Sequence, residues 1–174
     1  MKADHPEDVG ARRASEFGDA SGLDVVDDID RHLKQAGEFD RAALIPGMYL
    51  AWCARLNLLS PEFSKAQAAS LLRLHYNDGS CIELLVTGCG GTLRYSDLNE
   101  QGEDFTRRYY PGYLADWQAV FGSDIYAVAD SWENYHKIAA VLTETLLGAP
   151  DPSVGGLKSA RRASNGSWWK FWKK

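Results

Sequence analysis

The sequence predicts a mainly α-helical domain of about six helices, with at most a small two-stranded sheet. Apolar residues recur at helical intervals along most of the chain, and helix-capping residues stand before several of these segments. Nine aromatic side chains also gather between positions 98 and 147. Because large rings contribute much of the hydrophobic driving force per residue, this stretch is predicted to form the centre of the core.

Composition indicates a single globular domain with appendages. The chain has 174 residues, of which 45% are hydrophobic and 25% charged. No run approaches the ~18 apolar residues of a membrane span, and the first residues lack the apolar stretch of a secretory signal. The three cysteines match neither a disulfide framework nor a paired zinc spacing. We therefore expect a cytoplasmic protein without a metal or other cofactor.

Charge is distributed unevenly along the chain. Residues 1–148 hold 13 Lys and Arg against 23 Asp and Glu, whereas residues 149–174 hold 6 against 1. An acidic body disfavours phosphate binding, which needs clustered Lys and Arg, so no nucleic-acid partner is expected.

The domain is predicted to span residues 22–147, after a mobile acidic leader at residues 1–21. Ser21 and Asp24 have the spacing of a capping box, which predicts a first helix from about Ser21 to Gly37. Apolar residues then recur at helical intervals, at Val26, Ile29, Leu33 and Ala36. The outward face of this helix is predicted to carry Asp27, Asp28, Asp30, Arg31 and Lys34.

The next two helices follow from proline positions. Residues 44–59 form the most apolar segment, so this helix is predicted to be central, with Pro46 in its first turn. Ser60 and Pro61 then supply the cap and first position of a third helix. Residues 80–83 repeat the capping-box pattern and predict a short helix that Gly88 ends.

The second half holds two possible strands and the aromatic helices. Residues 92–95 and 125–128 are the strand candidates and are predicted to pair. Overlapping caps at residues 96–100 open a long helix, which Pro111 and Gly112 are predicted to interrupt. Residues 130–133 cap a last helix that ends at about position 147.

A linker and an aromatic, basic tail follow the domain. The composition of residues 148–167 predicts a flexible linker. The tail, residues 168–174, reads WWKFWKK and is predicted to contact an anionic membrane surface, a groove on a partner, or the domain itself. Membrane contact would place the protein at the periphery of the inner membrane. The residues predicted to bind are Trp168, Trp169, Phe171, Trp172, Lys173 and Lys174.

Three patches resemble those of an uncharacterised bacterial domain family. Residues 46–52 (PGMYLAW) resemble its I-G-M-[FY]-L-A-W helix, with Pro46 in place of the expected Ile. Residues 97–105 (DLNEQGEDF) resemble its D-L-N-x-x-G-x-x-F segment, and residues 126–135 (YAVADSWENY) its Y-x-V-x-D-[ST]-W-x-N-Y block. The likeness implies a domain over residues 24–147 and no known activity. Members lie among bacterial accessory genes, which by analogy suggests toxin-inhibitor or defence roles.

Three candidate sites have structural interpretations that we prefer. His136, flanked by acids near a helix start, could act in acid–base catalysis, but Trp132 and Tyr135 beside it are spaced for burial. Asp28 and His32 stand four residues apart, as metal ligands can, yet no third ligand accompanies them. Cys89 lies among glycines that better suit a helix end than an anion-binding loop.

The leading functional hypothesis is a non-enzymatic protein-binding domain, such as an immunity-type inhibitor of a basic toxin. The acidic body could steer it onto a basic partner. First contact is predicted at Asp24, Asp27, Asp28 and Asp30. A second hypothesis is a peripheral membrane or scaffold adapter that acts through the tail. A third is an enzyme whose site assembles from distant residues such as His75, Glu83, Asp97 and His136.

Overall fold

The computed structural model of the protein describes residues 24–148, in which seven α-helices accompany a two-stranded antiparallel sheet. The predicted mainly α fold class is therefore confirmed. The predicted leader, the Ser21 cap, residues 149–167 of the linker and the tail lie outside the described residues. In chain order the elements are β1 Val25–Asp28, α1 Ile29–Ala36, α2 Phe39–Arg55, α3 Pro61–Ala66, α4 Ala68–His75, α5 Glu83–Cys89, β2 Thr92–Arg94, a 3-10 helix Tyr95–Asp97, α6 Glu100–Phe121 and α7 Trp132–Gly148.

Helix α2 forms the centre of the domain. Every residue from Ala42 to Cys53 is buried, and α1, α5, α6 and α7 pack around the helix. The predicted aromatic cluster supplies much of this packing, because the buried ring of Tyr49 lies 4.7 Å from that of Tyr110 and 5.2 Å from that of Tyr113. None of the helices among residues 24–148 is long and apolar enough to cross a membrane.

The start of α2 differs from the prediction. The helix begins at Phe39, so Pro46 lies in its interior and not in its first turn. A proline there removes one backbone hydrogen bond. The apolar burial of the whole helix outweighs this loss, since the side chains on both sides of Pro46 are at most 2% exposed.

The predicted start of the first helix is wrong. Residues 25–28 form β1, which pairs with β2 so that Val25 faces Arg94 and Asp28 faces Thr92. Asp28 then caps α1, because its side chain accepts a hydrogen bond from the backbone N–H of Arg31. Two adjacent valines suit a strand, and the cap at position 28 delays the helix.

The predicted strand at residues 125–128 is also wrong. These residues have no regular structure, and β2 pairs with β1 instead. The carbonyl of Ile125 instead accepts a hydrogen bond from the indole N–H of Trp117, at 3.0 Å. Strand propensity is a weak signal without tertiary pairing, and residues 125–128 contact α6 rather than a strand.

Helix α6 continues through Pro111 and Gly112, so the predicted interruption is wrong. Both residues are exposed. Water can therefore reach the backbone carbonyl that the proline leaves without an N–H partner.

The predicted cap at Ser60 and stop at Gly37 are confirmed, since Ser60 accepts a hydrogen bond from the N–H of Phe63 and Gly37 has φ of 74°.

All three cysteines are expected to resist thiol reagents in the native protein. Cys53, Cys81 and Cys89 are buried, and burial raises the pKa of each thiol, to about 12 for Cys81. Only the thiolate reacts readily. An aromatic disulfide reagent should therefore label none of them within minutes, and all three in denaturant. Rapid labelling of one thiol in the folded protein would contradict this packing.

Candidate functional site

An open pocket lies between α1 and α6. Its volume is about 270 Å³, and most of its wall is apolar. Leu114 forms part of the rim while 40% of its surface stays exposed. This α1–α6 pocket is lined by Val26, Asp27, Arg31, His32, Ile45, Tyr110, Pro111, Tyr113 and Leu114.

A hydrogen-bonded polar network forms one side of the pocket. The Oδ2 atom of Asp27 lies 2.9 Å from Nε2 of His32 and accepts a 2.6 Å hydrogen bond from the hydroxyl of Tyr110. The other ring nitrogen of His32, Nδ1, lies 2.9 Å from the hydroxyl of Tyr126. The N–H of Asp28 donates to Oδ1 of Asp27, also at 2.9 Å. Each polar atom of the Asp27 and His32 side chains thus has a partner.

Local backbone structure positions this network. Asp27 lies in β1 beside an irregularity in the strand register, and its side chain is turned inward. His32 follows in α1, within reach of Asp27 because the helix begins at residue 29. Tyr110 comes from α6 and Tyr126 from the segment after it. The network therefore joins three parts of the chain that are distant in sequence.

Hydrogen bonding keeps Asp27 ionised. Burial alone would raise the pKa of this carboxyl, but the hydrogen bonds from His32 and Tyr110 hold it below the usual 3.8. Burial, together with the charge of Asp27, raises the pKa of Tyr110 and of Tyr126. At neutral pH the network thus consists of the Asp27 carboxylate, the His32 imidazole and the protonated hydroxyls of Tyr110 and Tyr126.

The conserved sequence pattern of one domain family matches residues 25–130. The chain belongs to this family, described as Domain of unknown function (DUF7832). Membership in a family of this kind was predicted from the three patches and is confirmed. No curated protein and no solved structure matches the chain. The matched range of the DUF7832 domain includes every residue that lines the α1–α6 pocket.

Both ring nitrogens of His32 have hydrogen-bond partners in the DUF7832 domain. One nitrogen of the imidazole faces Asp27 and the other faces Tyr126, so a substrate would have to displace Tyr126 to reach it. Asp28 and His32, the candidate metal-ligand pair that we did not favour, are not hydrogen-bonded to each other, because Asp28 binds Arg31 and His32 binds Asp27. Among residues 24–148 no group of three His, Cys, Asp or Glu side chains could hold a metal ion.

The four aspartates predicted to contact a partner differ in their exposure. Asp27 is 7% exposed, so its predicted outward position is wrong. Asp24 accepts hydrogen bonds from the backbone and hydroxyl of Ser96. Asp28 caps α1, and Asp30 is the one of the four that is exposed. Their role in partner binding stays a prediction.

The four residues considered for a dispersed acid–base site either bind other groups or lie apart from one another. His136 is exposed, whereas Tyr135 beside it is buried. Glu83 pairs with Arg73, and Asp97 accepts from the backbone N–H of Arg94. No hydrogen bond within residues 24–148 joins any two of His75, Glu83, Asp97 and His136.

Sequence reasoning missed the network of Asp27, His32, Tyr110 and Tyr126. Helical spacing pointed to Asp28 as the partner of His32, since residues four apart share a helix face. The true partner is Asp27, because the helix begins after residue 28 and residue 27 belongs to a strand. The tyrosines are 83 and 94 residues away from their partners, which no local pattern reveals.

Proposed function

We propose that this domain binds a protein partner and that the α1–α6 pocket receives an apolar side chain of that partner. The observation that carries the proposal is the pocket itself, an open apolar concavity whose rim includes the exposed side chain of Leu114. Its volume of about 270 Å³ falls just below the ~300–1,000 Å³ of small-molecule sites. A pocket of this size suits one or two protein side chains.

The polar network supports a binding role. Since Asp27 and His32 already have hydrogen-bond partners, they hold α1, α6 and the segment that contains Tyr126 in fixed positions. A preformed pocket loses less conformational entropy when a partner binds. The network thus favours recognition over chemistry.

The charge of the domain favours a basic partner. Residues 24–148 contain 18 Asp and Glu against 10 Lys and Arg, a net charge of −8. Most of the cations are in ion pairs, which leaves exposed carboxylates with no ion pair in this range to attract positive charge. The exposed carboxylates without an ion pair in this range belong to Asp30, Asp40, Glu62, Glu100, Asp124, Asp130 and Glu144. A basic toxin that is bound by an immunity-type inhibitor would complement this negative charge.

Affinity capture from the native host with three full-length forms tests the proposal. The forms are the natural chain, Leu114→Arg at the pocket, and Leu72→Arg on α4, where a leucine is 59% exposed away from the pocket. A stoichiometric basic partner should be recovered with the natural chain and Leu72→Arg and lost with Leu114→Arg. Recovery of no stoichiometric partner, or of the same partner with all three forms, would contradict the proposal.

A further inference from the structure

We infer that the chain's own tail, residues 168–174, occupies the α1–α6 pocket when no partner is bound. The inference rests on the proposed function, because it assigns the same pocket a second, intramolecular ligand. The tail offers side chains of the kind that the pocket suits, namely three tryptophans and one phenylalanine within five positions. One of these rings would take the place that a partner's side chain takes in the complex.

The tail can reach the pocket from the end of α7. Nineteen residues separate Gly148, where α7 ends, from Trp168. At ~3.3–3.6 Å per residue they span up to about 65 Å. A domain of this size has a radius of gyration of roughly 14 Å, so its diameter is well below that length. A tether of this kind also gives a local concentration of about a millimolar, at which weak docking suffices.

The pocket wall matches an indole ring. The exposed Pro111 and the partly buried ring of Tyr110 provide an apolar surface against which an aromatic side chain can pack. The polar side of the pocket offers an acceptor as well. Asp27 accepts three hydrogen bonds, whereas a carboxylate has about four acceptor sites. The remaining site can accept the N–H of a tryptophan.

Charge also favours this intramolecular contact. The tail carries three lysines and no acidic residue, whereas residues 24–148 have a net charge of −8. Asp30 is exposed on α1, the helix that forms one side of the pocket, and has no ion pair within the described part of the chain. Arg31, which lines the pocket, is paired with Asp28, so the tail's lysines are attracted by the net negative charge of the domain. Docking of the tail would make partner binding competitive, so the domain would open its pocket only to a partner that displaces the tail.

Disulfide trapping in the full-length chain tests the inference. The test variant carries Leu114→Cys and Trp169→Cys, and its matched control carries Leu72→Cys and Trp169→Cys. Both leucines are exposed on helices, at 40% and 59%, but only Leu114 lines the pocket. The three natural cysteines are buried and should not interfere. Under mild oxidation the test pair should form its intramolecular disulfide about tenfold faster than the control, because docking raises the local concentration of the two thiols above that given by the tether.

A third variant shows whether the rings cause the docking. Adding Trp168→Ser, Phe171→Ser and Trp172→Ser to the test pair should reduce its rate to that of the control. Equal rates for the test and control pairs would overturn the inference, as would disulfides formed only between separate chains. Equal rates together with flotation of the natural chain on anionic vesicles would assign the tail to a lipid surface. Failure of the trapping test leaves partner capture untouched, so the two proposals can fail separately.

Discussion

Replacing Asp27 with alanine is expected to lower the free energy of unfolding by about 3 kcal/mol, since each buried donor that loses its acceptor costs roughly 1–3 kcal/mol. The substitution deprives both His32 and Tyr110 of their acceptor. For a domain of this size the midpoint of thermal unfolding should fall by about 10 °C. Calorimetry or thermal circular dichroism measures this shift.

The effect of Asp27→Ala should also depend on pH. The folded-state pKa of Asp27 lies below its usual value of 3.8, so the unfolded state binds the proton more readily. This carboxylate therefore contributes stability above about pH 4, and the contribution is lost as the pH falls through the lower, folded-state pKa. The stability difference between the natural chain and the variant should shrink over that acidic range.

Asp30→Ala is the matched control for this prediction. Asp30 lies three residues further along but is exposed and has no ion pair among residues 24–148. Its replacement should change the free energy of unfolding by no more than about 0.5 kcal/mol. Similar losses for both variants would show that the network around Asp27 does not stabilise the domain.

Replacing Gly102 with alanine is expected to cost about 3 kcal/mol, at the upper end of the usual effect of overpacking. A Cβ atom at this position would lie only 2.4 Å from the carbonyl oxygen of Leu58 and 3.0 Å from its Cβ. That carbonyl also accepts a hydrogen bond from the N–H of Asn99, the cap of α6, so neither group can move freely. Denaturant unfolding measures the loss.

Gly112→Ala in the same helix is expected to raise the stability of the domain. Gly112 is exposed, and an added Cβ would meet no atom within 4 Å. Because alanine loses less backbone entropy than glycine in a helix, this variant should be more stable by about 0.5–1 kcal/mol. Equal destabilisation by both alanines would contradict the described packing of α6 against Leu58.

Local sequence signals predicted those parts of the fold that depend on neighbouring residues. The caps at Ser60 and Asn99 and the stop at Gly37 were readable because each acts within one helical turn. The interior prolines were misread for the opposite reason. Pro46 is tolerated through tertiary burial and Pro111 through solvent exposure, and neither condition is visible in a short window.

The sheet and the pocket could not be predicted because they depend on distant contacts. Residues 25–28 and 125–128 both have strand character, and only tertiary structure selects the first to pair with β2. The same selection turns Asp27 inward to meet Tyr110. Aromatic clustering did predict that the rings of α6 pack in the core, but not that Tyr110 and Tyr113 also face an open pocket.

The affinity of the captured partner for three forms of the chain tests most directly whether the domain acts by binding at the α1–α6 pocket. Titration calorimetry should give a Kd that rises at least about tenfold for Leu114→Arg, equivalent to the loss of roughly 1.4 kcal/mol of binding free energy. Leu72→Arg should leave the Kd within about twofold of the natural value, since Leu72 lies outside the pocket. Equal affinity of the natural chain and Leu114→Arg would contradict a binding role for the pocket.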